Sequence, residues 1–385
     1  MFVDICWIRT KMNATLTDEQ LEVSAKLTMK MIDLGHNVTF IRDQISIGPI
    51  VTVYRFAPKA STKVSHIESM AEDFAIALGV ENVLVKRIPG ESFVSIWVPN
   101  KERNYVNWRD TITEFSKVSG QAYIPINLGV DHLGRSHIQD LSSLPHLLIA
   151  GSTGSGKSTL LSSILASLIY AKRSDEVQFI LSDTKGVDFG HFEGAPHLLF
   201  PVATSVYKTC EQLDWLLAEM ERRLLILGKL GVRNIHEHNQ NTNLKRMSHI
   251  TLVIDELADL LGDSSRASAQ SNSGLGKVST QKISELARKA RASGIHIIAA
   301  TQRPSVRVVN GDIKANFPAR LCFRVPSGVD SRTVLGTEGA EYLLARGDML
   351  YVDPNRPGLH RLHAPIADIR DIQGAVTVAT MRERG

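Results

Sequence analysis

Eight consecutive residues, Gly151-Ser152-Thr153-Gly154-Ser155-Gly156-Lys157-Ser158, have the make-up that a triphosphate demands. Glycines let successive backbone N–H groups turn inward around phosphate oxygens, Lys157 reaches the β/γ oxygens, and the Ser158 hydroxyl can coordinate Mg²⁺. An apolar run, His146-Leu-Leu-Ile-Ala150, precedes the loop, and a helix-like run from Thr159 to Ile169 follows it. That helix would point its positive end at the same phosphates, so Gly151 to Thr159 are read as the segment that binds ATP with Mg²⁺. Further along, Leu252-Val253-Ile254 runs into Asp255-Glu256, which puts acids at the carboxyl end of a buried strand, where α/β sheets hold ligands. Asp255 suits the Mg²⁺ shell, and Glu256 is placed to orient and polarise an attacking water.

Other constellations carry less. Ile295 to Ala300 ends in Thr301-Gln302-Arg303-Pro304, so Gln302 either senses a γ-phosphate by hydrogen bonding or belongs to a plain strand-end turn. In the stretch Lys282 to Ser293, Ile283, Leu286, Ala287 and Ala290 share one helical face. Arg291 stands at the edge of that face, where it either supplies a guanidinium to a neighbouring chain's transition state or joins a solvated basic surface. Arg303, Arg307 and Lys314 punctuate a turn-rich loop between two core strands, a spacing that suits contacts to a phosphate backbone. His236-Glu-His238 has no third ligand nearby and is not read as a metal site.

The elements that must position these residues fall into two units, 1–125 and 126–385. In the first, Thr17 or Asp18 caps a helix that carries Leu21, Ala25, Leu27, Met31 and Leu34 and ends at Gly35. Strand-like runs follow at Val38 to Ile41, Ile50 to Phe56, Val83 to Lys86 and Phe93 to Val98, with a helix near Ile67 to Leu78. This small mixed α/β unit holds no chemical constellation, which leaves docking or scaffolding as its role. The second unit alternates strands and helices, the pattern of a mainly parallel sheet. Its five near-continuous apolar strands, at Leu147 to Ala150, Val177 to Ser182, Ile250 to Ile254, Ile295 to Ala300 and Arg320 to Val325, predict a RecA-like P-loop NTPase core. A long helix from about Tyr207 to Lys229 and a Ser/Gly-rich mobile loop over 262–276 complete the plan.

Composition narrows the setting. A net charge of +4 over 385 residues does not announce nucleic acid, so a DNA reading rests on where cations cluster. Cys6, Cys210 and Cys322 lie far apart and suggest neither disulfides nor zinc. No segment reaches the roughly 18 apolar residues of a membrane span, and Asp4 does not suit a signal peptide. A soluble cytoplasmic protein is expected.

Several ordered motifs then resemble the FtsK/SpoIIIE family of double-stranded DNA translocases. They are Pro145 to Ser158, Gly194-Ala-Pro-His-Leu-Leu199, Glu219-Met-Glu-Arg-Arg223 with Gly231-Val-Arg-Asn234, and Asp255-Glu-Leu-Ala-Asp259. Ala287 to Gln302, Ile313-Lys-Ala-Asn316, Asp330-Ser-Arg-Thr333 and Gly347-Asp-Met-Leu-Tyr351 continue the series. The small unit is similar to the family's α domain at Gly48 to Phe56, Ile88-Pro-Gly90 and Val98 to Lys101. This resemblance implies a homo-hexameric ring that hydrolyses ATP between subunits and moves duplex DNA through its channel, with Arg291 the trans-acting finger and Arg303 and Lys314 facing the DNA. A related P-loop ring for DNA packaging, conjugative transfer or protein secretion is the alternative. Neither the membrane spans nor the winged-helix γ domain of cellular members is expected, and Asp183-Thr-Lys185 replaces the family's usual Asp-Pro-Lys.

Overall fold

The computed structural model describes residues 17–59, 62–87, 91–262 and 273–384. Cys6, Ile88-Pro-Gly90 and most of the expected mobile loop, at 263–272, lie outside them; Ser273 to Gly276 already belong to a helix. In the small unit, α1 (Asp18–Asp33) starts with a capping box in which the Thr17 and Gln20 side chains satisfy each other's backbone N–H groups. There follow β1 (Val38–Phe40), β2 (Ser46–Ile47), β3 (Val51–Pro58), α2 (Val64–Glu68), α3 (Ala71–Leu78), β4 (Leu84–Arg87) and β5 (Val94–Pro99). The single helix expected near Ile67 to Leu78 is two, broken at Ser69 and Met70, where the Ser69 hydroxyl donates to the His66 carbonyl and Met70 leaves helical geometry. The strands form one antiparallel sheet, and Leu27, Met31, Phe56, Phe74 and Ile96 fill the core beneath it.

The large unit holds α4 (Trp108–Ser119), β6 (Pro125–Asp131), β7 (Ser136–Asp140), β8 (His146–Ala150), α5 (Lys157–Ala171), β9 (Val177–Ser182), α6 (Val206–Leu230) and α7 (Ile235–Gln240). It continues through β10 (His249–Ile254), α8 (Leu257–Leu260), α9 (Ser273–Lys289), β11 (Ile295–Thr301), α10 (Gly311–Asn316), β12 (Ala319–Phe323) and α11 (Gly328–Leu335) to β13 (Asp348–Val352), β14 (Leu359–His363) and α12 (Ile369–Arg384). Nine strands lie in the order β7-β6-β14-β13-β12-β8-β11-β10-β9. The five expected strands are its parallel half, and four antiparallel strands extend it beyond β12. β7 and β14 are mostly polar, with histidine, glutamine and arginine, β6 is interrupted by Asn127 and Gly129, and β13 offers only the short run Met349 to Val352. Helix α4 packs on α5 and β6, so the chain enters the large core before residue 125.

Two apolar layers flank the sheet. One packs α5 and α12 around Leu147, Ile149 and Ile164; the other packs α6 and α9 around Leu252, Ile297, Leu213 and Leu286. A third cluster joins the units, with Ile50, Val53, Leu84 and Trp97 against Ala150, Cys322, Leu335 and Leu350. The small unit is thereby seated on the strand that delivers the phosphate loop.

Histidines line the amino edge of the parallel strands: His146, His249 and His296 are buried. Burial, aided by neighbouring positive groups, pushes His146 down to about 3, His249 to about 2 and His296 to about 4. Each ring is neutral in the folded chain and titrates near 6.5 once unfolded, so between these values the unfolded chain binds more protons. Their contribution is therefore whole above pH 6.5 and is lost as pH falls toward the folded values, by up to about 1.4 kcal/mol per pH unit per ring. Thermal melting should drop steadily from pH 7 to pH 5; an unchanged melting temperature across that window would contradict these assignments.

Candidate active site

The site forms at the carboxyl ends of β8, β10 and β11, which the sheet order brings side by side. Gly151 follows β8 where a Cβ would lie 2.6 Å from the Phe323 Cβ and 2.7 Å from the Ser155 hydroxyl. Gly156 closes the loop at φ +115°, and a Cβ there would meet the Gly347 nitrogen at 2.7 Å. Both positions need glycine for different reasons, one for close approach and one for backbone shape as well. Gly347 supports the loop from behind, donating its N–H to the Ser155 carbonyl at 2.9 Å. Gly156→Ala should lower both the melting temperature and ATP affinity, with overpacking alone worth about 1–3 kcal/mol; unaltered nucleotide binding would show that the loop tolerates the shift.

Lys157 is the first residue of α5 and is almost wholly buried. Its ammonium donates to the Asp255 backbone oxygen at 3.1 Å and to Asp255 Oδ1 at 3.2 Å. The other carboxylate oxygen, Oδ2, is buried and accepts no hydrogen bond among the described residues, and Lys185 Nζ stands 3.6 Å away. Ser158 donates its hydroxyl to Asp188 Oδ2 at 3.1 Å. Asp183, Asp188 and Asp255 each offer an oxygen to one small volume. Asp183 spends both of its oxygens on the backbone N–H groups of Lys185, Gly186, Asp188 and Phe189, so it builds the loop that carries Asp188. Burial, with the Asp255 charge next in effect, raises the Asp188 carboxyl above its ordinary range.

Glu256 is buried at the start of α8. Its carboxylate accepts from the Thr301 hydroxyl at 2.8 Å and from the Gln302 N–H at 3.2 Å, and Lys185 Nζ stands 3.5 Å away. The Gln302 side chain reaches the other way, accepting from the Thr153 hydroxyl at 2.9 Å. Gln302 thus bridges the phosphate loop and Glu256. Thr184 donates to Asp259 at 2.9 Å and ties the β9 loop to α8. Residue type and spacing do not single out Lys185, Asp188 or Thr301 for this site. In the sequence only Asp183-Thr-Lys185 stands out, as a motif.

Beside the loop opens a cavity of about 400 Å³ lined by Ser152, Thr153, Gly154, Lys157, Ser158, Thr159, Gln302 and, on its far wall, Arg346, Ala364 and Ile366. Arg346 adopts φ +64°, unusual for a side-chain-bearing residue, and hands the chain to Gly347 behind the loop. The residues fit ATP with Mg²⁺: a side-chain-free cradle, a lysine at its floor, a hydroxyl, and a buried carboxylate oxygen without a donor.

Arg291 is not brought to this place. Helix α9 ends at Lys289 rather than continuing to Ser293, and Arg291 lies exposed on the turn before β11. Seven residues of β11 separate that turn from Gln302, about 20 Å of extended chain, so Arg291 sits at the opposite edge of the sheet. Arg303 and Arg307 are exposed on the segment after Gln302, which Val308 and Val309 anchor in the core. Lys314 is half-buried on the short helix α10, capped by Asn310, rather than on a turn-rich loop. His236 packs against Tyr123, with ring centroids 3.9 Å apart and the planes tilted by 34°, and forms no metal cluster among the described residues.

Comparison with known proteins agrees with this architecture. The FtsK/SpoIIIE family profile matches residues 114–306, and the FtsK alpha domain profile matches residues 7–100. A DNA translocase FtsK of Borreliella burgdorferi is 42% identical over 84% of this chain and 40% of its own length. One from Haemophilus influenzae is 38% identical over 90% of this chain and 68% of its own. The chain spans less than half the length of most of these relatives. Among solved structures, the conjugation coupling protein TcpA of pCW3, in monomer form with ATPgS, shares the fold at TM-score 0.67 and 24% identity, over 94% of this chain and 99% of its own. The type VII secretion ATPase EccC of Thermomonospora curvata does so at TM-score 0.57 and 24% identity, over 67% of this chain and 31% of its own. No described helix is long and apolar enough to cross a membrane. By its matched profiles and its relatives, the chain belongs to the FtsK/SpoIIIE family.

Proposed function

We propose that this chain is the motor of a cytoplasmic, ATP-driven translocase that moves along double-stranded DNA as a hexameric ring of identical subunits. One observation carries the ring reading: Lys157, Asp255, Glu256 and Gln302 meet at one edge of the sheet while Arg291 lies at the other, out of reach of its own nucleotide. A guanidinium so placed cannot reach its own site and is available to a neighbour's, where phosphoryl transfer draws on an added cation. Relatives named as DNA translocases support duplex DNA as the track.

The chain's own groups then divide the work. Backbone N–H groups of Gly151 to Gly156 and the amino end of α5 hold the phosphates. Lys157 exchanges its bond to Asp255 for the β/γ oxygens, which frees the Asp255 carboxylate. Mg²⁺, held by Ser158 and Asp255, would neutralise charge on the phosphate oxygens. Glu256, fixed by Thr301 and the Gln302 N–H, orients the attacking water and accepts its proton. Ala364 and Ile366 offer apolar contact at the far wall of the cavity. Arg303 follows directly on Gln302, so a displacement of the Gln302 bridge by the γ-phosphate is passed to the segment that carries Arg303, Arg307 and Lys314 against DNA phosphates.

The test is ATP turnover with and without duplex DNA. A many-fold rise is expected, and an ATPase indifferent to DNA would sink the translocase reading. Replacing Arg303, Arg307 and Lys314 together should flatten the dependence of log affinity on log salt by about 0.9 per lost phosphate contact, hence by about 3. An unchanged slope would remove the three cations from the DNA interface.

A further inference from the structure

Two motifs have no part in the nucleotide site, Glu219-Met-Glu-Arg-Arg223 on α6 and Gly231-Val-Arg-Asn234 before α7. Both converge on the turn that carries Arg291. Arg223 is 4% exposed, and its Nη1 donates to the Ser293 carbonyl at 3.0 Å and to the Ser248 carbonyl at 2.8 Å. Its Nε binds Glu219 at 2.6 Å, and Glu219 is held in turn by Arg222. Gly231, at φ +67°, ends α6 and turns the chain back, and Asn234 then caps α7 through the His236 and Glu237 N–H groups. The Ile235 N–H so placed donates to the Ala292 carbonyl at 2.9 Å.

Every carbonyl of the turn is occupied. Ser293 bonds Ala290, Gly294 bonds Arg291, Ile235 bonds Ala292, Arg223 bonds Ser293 and Ile250 bonds Gly294. Gly294 itself is wedged at φ +73°, where a Cβ would lie 2.4 Å from Ile235 Cδ1 and 3.2 Å from His249 Nδ1. The exposed guanidinium of Arg291, in contrast, forms no hydrogen bond or ion pair among the described residues. Lys289, at the end of α9, is spent on Glu285 at 2.6 Å. A merely solvated basic surface needs no such fixed backbone. Burying Arg223 costs desolvation that Glu219 and two carbonyls must offset, and burial holds the guanidinium below its ordinary value.

We propose that Arg223, seconded by the Asn234–Ile235 corner, is a positioning residue that sets the angle at which Arg291 is presented to the neighbouring subunit's nucleotide. This rests on Arg291 acting in trans. Arg223→Lys keeps the charge but loses the planar fork that spans Ser293, Ser248 and Glu219 at once.

The experiment uses the full chain with duplex DNA and ATP, comparing Arg223→Lys alone with its mixture with Lys157→Ala. The Lys157→Ala subunit has a disabled nucleotide site and an intact finger. Arg223→Lys alone should turn over ATP at least tenfold more slowly at unchanged KM. Mixing should raise turnover several-fold above the sum of the two, because the partner's finger completes the sound site of the Arg223→Lys subunit. A mixture no faster than the sum would overturn the proposal, since the defect would then lie within the subunit's own site. An Arg291→Ala and Lys157→Ala mixture, run in parallel, separates the two readings: no recovery there removes the finger itself, whereas recovery there without recovery for Arg223→Lys removes only its positioning. Should Arg223→Lys fail to fold by circular dichroism, Asn234→Ala loosens the same turn from its other side; it should lose a few-fold in turnover and recover on mixing, and no recovery would again overturn the proposal.

Discussion

Arg291→Ala is expected to lower DNA-stimulated ATP turnover by about 10³-fold or more while ATP still binds, the range over which a guanidinium added to a phosphoryl-transfer site acts. The reason is where the charge develops. The transition state spreads negative charge over the γ-phosphoryl oxygens, and the chain's own Lys157 already lies at the loop floor against Asp255. Lys185, 3.5 Å from Glu256 and 3.6 Å from Asp255, is balanced by those two carboxylates and has little charge to spare. On the proposed reading the further cation comes from a neighbouring subunit, and Arg291 is exposed at the far edge of the sheet with its backbone held. Removing its side chain leaves every bond of that turn in place, so the melting temperature should change little. Turnover measured beside affinity for a slowly hydrolysed ATP analogue decides the matter. Normal DNA-stimulated hydrolysis in the variant would take Arg291 out of catalysis, and lost nucleotide affinity would make it a binding residue instead.

What the sequence revealed about this site follows from how local each part is. The phosphate loop and the Asp255-Glu256 pair each join a strand end to the next element, so residue type, spacing and flanking pattern sit in one short window. Lys185, Asp188 and Thr301 leave no such trace. They meet Glu256 and Ser158 only because the sheet sets β9, β10, β11 and β8 next to one another, a fact of strand order that no periodicity encodes. Asp188 in particular is delivered by Asp183, whose four backbone contacts fold the loop between them. Thr184 reads in sequence only as a departure from the motif that the chain resembles, and in the fold as a bond to Asp259. The same contrast governs the architecture. Parallel strands buried on both faces announce themselves as apolar runs, whereas β6, β7 and β14 are broken by polar residues and β13 has only four apolar residues after Asp348. Arg291 shows a third case: its apolar neighbours Ile283, Leu286, Ala287 and Ala290 are all buried, but the stripe runs past the helix end, because helical spacing persists where Gly294 has already turned the backbone.

Glu256→Gln should slow phosphate release by about 10²- to 10⁴-fold with ATP affinity retained. The exchange is close to isosteric, and the amide oxygen can still accept from Thr301 and from the Gln302 N–H, so the bridge from Glu256 to the phosphate loop survives. What disappears is the charge that takes a proton from water. Lys185 loses one of its two carboxylate neighbours and keeps Asp255 at 3.6 Å. A variant that keeps most of its turnover would move the base role elsewhere. The same substitution also separates two ways of coupling ATP to DNA. If the γ-phosphate shifts Gln302, and with it Arg303, on binding, then the ATP-loaded variant should hold duplex DNA as the wild type does with a slowly hydrolysed analogue. If the DNA segment responds only after phosphate leaves, DNA affinity of the loaded variant should match that of the nucleotide-free chain. The bridge through Thr153, Gln302 and Glu256 predicts the first result, because its two ends lie on the phosphate loop and on the carboxylate proposed to act on water, and the next residue is Arg303, proposed to meet the DNA.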